Sequence, residues 1–159
     1  MSKLLIVLGE GGHSKEMLAL AALLGQEYEY AYVLTREDAL SEAKIALDGP
    51  RYRVIRPRSK NDPAWMAALK LLLCFWQSLA VVWRAQPDAI LSSGPAVAIP
   101  FAFWGKLLGR AVIFVETGSR VHRLSLTGRL MRRLADLFFV QWPELRQAHP
   151  KAIYAGRLF

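Results

Sequence analysis

Short apolar runs alternate with longer amphipathic stretches from one end of the chain to the other. Runs rich in Val, Ile, Leu, Phe and Tyr predict strands at residues 3–8, 28–34, 52–56, 89–92, 112–116, 137–141 and 152–154. Apolar residues at helical spacing predict helices at 14–24, 37–47, 64–85, 96–108, 126–135 and 143–147. Strands that are apolar on both sides, separated by helices, call for a mostly parallel sheet covered on both faces. The expected fold class is α/β, a Rossmann-like doubly wound sandwich. No repeat, linker or low-complexity tract divides it, so residues 1–159 are expected to form a single domain.

Ligands of such sheets gather at the carboxyl ends of the strands, and the unusual residues fall there. The first strand empties into Gly9-Glu10-Gly11-Gly12-His13-Ser14. Glycines let a backbone approach a ligand closely, and a helix N-terminus favours negative charge, so Gly11, Gly12 and Ser14 are candidate phosphate binders. The loop lacks the third glycine of a dinucleotide fingerprint and the Gly-Lys-Ser/Thr ending of a P-loop. The fourth strand ends in Ser92-Ser93-Gly94-Pro95, which reads as helix capping or as a second anion site. Glu116 ends an apolar strand close to Arg120 and Arg123. It is either the partner of an arginine or a base with a raised pKa.

The 64–85 segment is apolar almost all round. Trp65, Leu69, Leu72, Trp76, Leu79 and Trp83 form one stripe; Lys70, Gln77 and Arg84 form a narrow polar one. It is either a deeply buried crossover helix or an interfacial helix whose tryptophans enter a bilayer. Its longest uncharged part, residues 71–83, is shorter than the ~20 residues a spanning helix needs. Cys74 within it reads as packing, and a single cysteine excludes an internal disulfide and fits a reducing cytoplasm.

The net charge of +8 calls for an anionic partner. Arg51, Arg53, Arg56, Arg58 and Lys60 carry no acid among them, and seven basic residues lie between Lys106 and Arg133 against the single Glu116. Arg56, Arg58 and Lys60, just before the tryptophan helix, suit anionic lipid. No aromatic residues interleave with these runs as a nucleic-acid stacking surface requires. A basic nucleotide- or nucleic-acid-binding protein without catalysis is the rival expectation. No cluster has metal-ligand spacing, and no metal or cofactor is expected.

Taken together, Gly11-Gly12-His13, Ser92-Ser93-Gly94-Pro95, Phe114-Val115-Glu116-Thr117 and Tyr154-Ala155-Gly156-Arg157 resemble the N-terminal half of GT-B glycosyltransferases of the MurG type. The stretch from Val115 to Arg120, with Leu126-Thr127-Gly128-Arg129 after it, is more similar to the acceptor-binding subunit of split UDP-sugar transferases. These are the membrane subunit of the eukaryotic dolichol-linked N-acetylglucosaminyltransferase and the PssD-type proteins of bacterial exopolysaccharide synthesis. The resemblance implies half of an inverting enzyme at the cytoplasmic face of the inner membrane, held there peripherally. This half would bind a polyprenyl-pyrophosphate-linked sugar. A PssE-type partner would hold the donor: UDP-glucuronate, UDP-galactose or UDP-N-acetylglucosamine. The eukaryotic anchor helix has no counterpart here, so membrane contact is expected from Trp65, Trp76, Trp83 and the basic runs. The acceptor pyrophosphate is expected against Gly11–Ser14, Ser93 and Gly94, helped by Arg120 or Arg123. His13 and Glu116 are the candidate bases; the family's first-loop histidine maps onto His13.

Overall fold

The computed structural model describes residues 1–57 and 62–158. Arg58 and Lys60, two of the expected membrane contacts, lie outside the described residues. Among the described residues seven strands and six helices alternate: β1 (Lys3–Val7), α1 (Gly12–Leu24), β2 (Glu29–Thr35), α2 (Ala39–Glu42), β3 (Arg51–Val54), α3 (Ala64–Ala85), β4 (Ala89–Ser92), α4 (Ala98–Leu107), β5 (Ala111–Val115), α5 (Leu126–Leu134), β6 (Leu137–Val140), α6 (Pro143–Ala148) and β7 (Ile153–Tyr154). They form one sheet in the order β3-β2-β1-β4-β5-β6-β7, with every pair parallel. The strand order reverses between β1 and β4, which opens a crevice at their carboxyl ends.

Alternation along β1 divides the core. Leu5 and Val7 pack with Cys74, Val82 and Phe101 from the α3–α4 side, whereas Leu4, Ile6 and Leu8 pack with Met17 and Ala21 of α1. A third cluster joins α4, α5 and α6 to β5 and β6 through Phe114, Met131, Phe138 and Leu145.

The helix expected at 37–47 shrinks to the four residues of α2. Asp38 caps it by accepting from Ser41 N at 3.1 Å. Beyond Ala43 the chain unwinds because Ile45 and Leu47 both pack against the α1-side core. Residues two apart cannot share a helix face. Tyr32 Oη donates to the Leu47 carbonyl and fixes that turn.

Helix α3 has the expected bounds but is not deeply buried. Only Cys74, Ser78, Val81, Val82 and Ala85 are covered. Trp65 is 67% exposed, Trp76 56% and Trp83 64%, with Leu69 and Leu72 beside them. Phe75, Trp76, Phe103 and Trp104 cluster where α3 meets α4, and Trp104 Nε1 donates to the Phe75 carbonyl at 2.8 Å. By length and composition α3 is apolar enough to cross a membrane, with a mean hydropathy of 1.7 over 18 residues. Crossing, however, strips Cys74, Val81, Val82 and Ala85 from the sheet. Burial pushes the Cys74 thiol up to about 11, as suits a packing residue.

The first basic run is less free than its sequence implies. Arg51 and Arg53 pair with Glu42, and Arg56 pairs with Glu10. Arg56 therefore faces the end of β1 rather than a lipid surface.

Candidate active-site cleft

Four loops meet where β1, β4, β5 and β6 end. The β1–α1 and β4–α4 loops touch because glycines leave room. A Cβ on Gly9 would meet Pro95, and one on Gly94 would overlap the His13 ring. Gly94 also has φ +64, so a side chain there is strained as well as crowded. His13 thus rests on the backbone of the β4–α4 loop.

A cleft of about 520 Å³ opens beside it, lined by Glu10, Gly12, His13, Lys15, Glu16, Thr117, Gly118, Ser119, Gln141 and Arg157. The His13 side chain is 32% exposed. Its Nδ1 is buried without a hydrogen-bond partner, 4.0 Å from Glu16 Oε2. Burial holds the imidazole below its ordinary pKa, while the Glu16 carboxylate pulls the other way. A neutral, partly exposed imidazole at the end of a parallel sheet can accept a proton near pH 7.

Glu16 is the residue the sequence did not single out. It lies one turn after His13 and is 5% exposed. Ser93 Oγ donates to its Oε2 at 2.6 Å. Its Oε1 accepts from Gly118 N at 2.7 Å, Thr117 Oγ1 at 3.1 Å and Gln141 Nε2 at 3.2 Å. The only signal in the chain was the three-residue spacing, which puts both side chains on one helix face. Arg157, the last residue of the Tyr154–Arg157 motif, also reaches the cleft and stacks on Trp142, 4.1 Å from the ring centroid. Trp142 Nε1 in turn donates to the Gly118 carbonyl at 2.7 Å.

Several expected site residues lie elsewhere. Ser14 is buried and looks, with Gly11, into a separate depression between α1 and α2, shared with Asp38, Ser41 and Arg56. Ser93 is fully buried, its hydroxyl committed to Glu16. Helix α4 begins three residues after Pro95, and the Ala98 and Ile99 amides bond to the Pro95 and Ala96 carbonyls. The Ser93 hydroxyl is thus turned to Glu16, and neither Ser93 nor Gly94 lines the cleft.

Glu116 is completely buried and does not line the cleft. Its carboxylate accepts from Thr117 N, Ser125 N and Ser125 Oγ at 3.1–3.2 Å. Ser125 Oγ caps α5 by accepting from Gly128 N at 2.9 Å. A Cβ on Gly128 would overlap this carboxylate. Burial pushes the Glu116 pKa up, opposed by the Ser125 and Thr117 hydrogen bonds and then by Arg120. It holds the β5–α5 loop to α5. Arg120 is exposed outside the cleft lining, and Arg123 lies in a basic groove with His122, Arg129, Arg132 and His149. Of the expected binding set, only Gly12 and His13 line the cleft.

Residues 4–158 match the model of the "Oligosaccharide biosynthesis protein Alg14 like" family. The UDP-N-acetylglucosamine transferase subunit ALG14 of Mus musculus is 34% identical over 98% of this chain and 82% of its own length; that of Homo sapiens is 33% identical over the same shares. The Nitrosospira multiformis UDP-N-acetylglucosamine--N-acetylmuramyl-(pentapeptide) pyrophosphoryl-undecaprenol N-acetylglucosamine transferase is 30% identical over 93% of this chain, but only 42% of its own length. MurG of Acinetobacter baumannii shares the fold, with a TM-score of 0.75 at 19% identity, over 99% of this chain and 44% of that one. The Rossmann-like sheet is thus the N-terminal half of the MurG architecture, and by sequence the chain belongs to the Alg14-like family of oligosaccharide biosynthesis proteins.

Proposed function

We propose that this chain is the acceptor-binding subunit of a two-chain inverting UDP-sugar transferase, with UDP-N-acetylglucosamine as donor. It binds a polyprenyl-pyrophosphate-linked sugar at the membrane and recruits the chain that holds the nucleotide. The names of the ALG14 relatives, UDP-N-acetylglucosamine transferase subunits, support both the donor class and a second chain. The observation that carries the chemistry is His13, a partly exposed imidazole at the mouth of the crevice, beside the uncapped N-terminus of α1. His13 takes the proton of the acceptor hydroxyl as that oxygen attacks the sugar. The first-turn amides of α1, with Lys15 and Arg157, face the acceptor's pyrophosphate.

The membrane contact is the exposed face of α3 and α4, where Trp65, Leu69, Leu72, Trp76, Trp83 and Leu107 stand out. Alongside, α5 presents Arg129, Arg132 and Arg133 to anionic headgroups. The helix lies in the interface with its covered side still on the sheet, so the chain sits peripherally on the cytoplasmic face of the inner membrane. Pairing with a PssE-type chain for exopolysaccharide synthesis is the bacterial form of the same proposal. A nucleic-acid-binding role draws on Arg51, Arg53 and Arg56, whose charges are met by Glu42 and Glu10, and leaves the tryptophans unexplained.

The test is sugar transfer from labelled UDP-sugars to polyprenyl-pyrophosphate acceptors, with and without the candidate partner. Transfer should require both chains and should fall by about 10²–10⁴-fold in His13→Ala, with partner and membrane binding retained. Unchanged turnover in that variant removes His13 from the chemistry. Full activity of either chain alone removes the split site.

A further inference from the structure

Glu16 has no part in the reaction as set out so far, yet it is the most heavily hydrogen-bonded side chain around the cleft. The groups bonded to its carboxylate are all donors and come from the loops after β4, β5 and β6. The remaining direction faces His13 Nδ1, itself buried and unpartnered. Gly94 backs the imidazole so closely that the ring has no room to recede from the carboxylate.

An imidazole accepts a proton at Nε2 only when Nδ1 carries the hydrogen. A carboxylate facing Nδ1 favours that tautomer, whereas a lone pair on Nδ1 facing the same oxygen is repelled. The geometry points to Glu16 as the positioning residue of this site: it fixes the Nδ1–H tautomer of His13, turns Nε2 to the cleft as the base, and stabilises the imidazolium that transfer creates. This inference rests on His13 being the base. In the transfer, the acceptor oxygen bonds to the anomeric carbon while the bond from that carbon to the UDP oxygen breaks, its electron pair leaving with UDP. The hydroxyl proton moves to Nε2, and the new positive charge sits beside Oε2. The 4.0 Å separation is longer than a hydrogen bond. A shift of about 1 Å by the charged ring brings it into range. Ser93 Oγ, 2.6 Å from the same oxygen, keeps that oxygen aimed as the ring moves.

The decisive variant is Glu16→Gln in the full chain with its partner. Its carbonyl oxygen still accepts from Thr117, Gly118 and Gln141, but its amide places a donor against His13 Nδ1 and favours the wrong tautomer. Expected are a fall in kcat of about 10²-fold or more and an acceptor KM within about twofold of wild type. The acid limb of kcat/KM and the NMR titration midpoint of the His13 C2 proton should both move to lower pH, because a neighbouring negative charge is gone. A merely structural role moves neither. Glu16→Asp keeps the charge at shorter reach; its midpoint and kcat should fall between those of wild type and Gln, and it decides the same readouts if the Gln variant does not fold. A wild-type midpoint and acid limb in these variants overturns the role of Glu16, whatever their activity. If His13→Ala keeps full turnover, the base itself is wrong; if it is inactive while Glu16→Gln titrates as wild type, only the positioning role is lost.

Discussion

Helices α1 and α3 both pack on the same sheet, on opposite faces, and each breaks the usual inside-out rule in the opposite sense. Helix α1 buries a carboxylate, Glu16, and a serine, Ser14, along with Met17 and Ala21. Helix α3 leaves three tryptophans and several leucines in solvent while covering five of its 22 residues. A buried carboxylate costs several kcal/mol unless it is fully hydrogen-bonded, and an exposed apolar face has a use only when something apolar meets it. Under the proposed function the two departures serve the two ends of one task, holding a polar headgroup and resting on an apolar phase.

The comparison breaks most visibly at the glycine between the loops. Gly94→Ala inserts a methyl into the space of the His13 ring at a left-handed backbone position. It should abolish transfer as fully as His13→Ala and cost about 1–3 kcal/mol in urea unfolding. A fully active Gly94→Ala shows that the ring position is not needed.

On the α3 side, Trp65, Trp76 and Trp83 changed together to Ser should remove most flotation with anionic liposomes. Stability should change by only about 1 kcal/mol, since these side chains are mostly exposed. Flotation equal to wild type by the folded variant means that the face meets something other than lipid.

The smallest effect lies on the α1 side and is read by pH. The folded-state pKa of His13 lies below the ordinary 6.5, so its contribution to stability is fully present above about 6.5 and lost as pH falls through the folded value. Glu116, raised above 4.5, acts in the other sense: its contribution is present below that value and lost as pH rises through the folded one. Urea unfolding at pH 7.5 and 5.0 should therefore show wild type losing more stability than His13→Asn. Equal losses place the His13 ring in a more solvated setting than this structure gives it.

The fold was legible because its signal is local. Most strands are short apolar runs, and the 64–85 periodicity marks α3 to the residue. The short α2 was not legible, because two core contacts from Ile45 and Leu47 override a helical pattern. The site was legible only in part. His13 announces itself beside three glycines, but the surroundings of Glu16 come from positions 93, 117, 118 and 141, and no spacing along the chain encodes that meeting. Glu116 shows the same limit: a carboxylate closing an apolar strand gives no sign in the sequence of the cap it holds nine residues later.

Gln141 carries a consequence for the order of events as the chain folds. Its amide donates to Glu16 Oε1 and to the Glu116 carbonyl, while its own oxygen accepts from Leu158 N at 3.0 Å. Turning the amide over sets oxygen against oxygen, so one orientation alone satisfies all three. Contacts spanning 125 residues are slow to form and pay their loop-closure cost before they are rewarded. Residue 141 leaves the ribosome only after β1 to β5 have been made, so the setting of Glu16 is completed only once most of the chain exists. The histidine is present from the thirteenth residue onward, but its surroundings are assembled last.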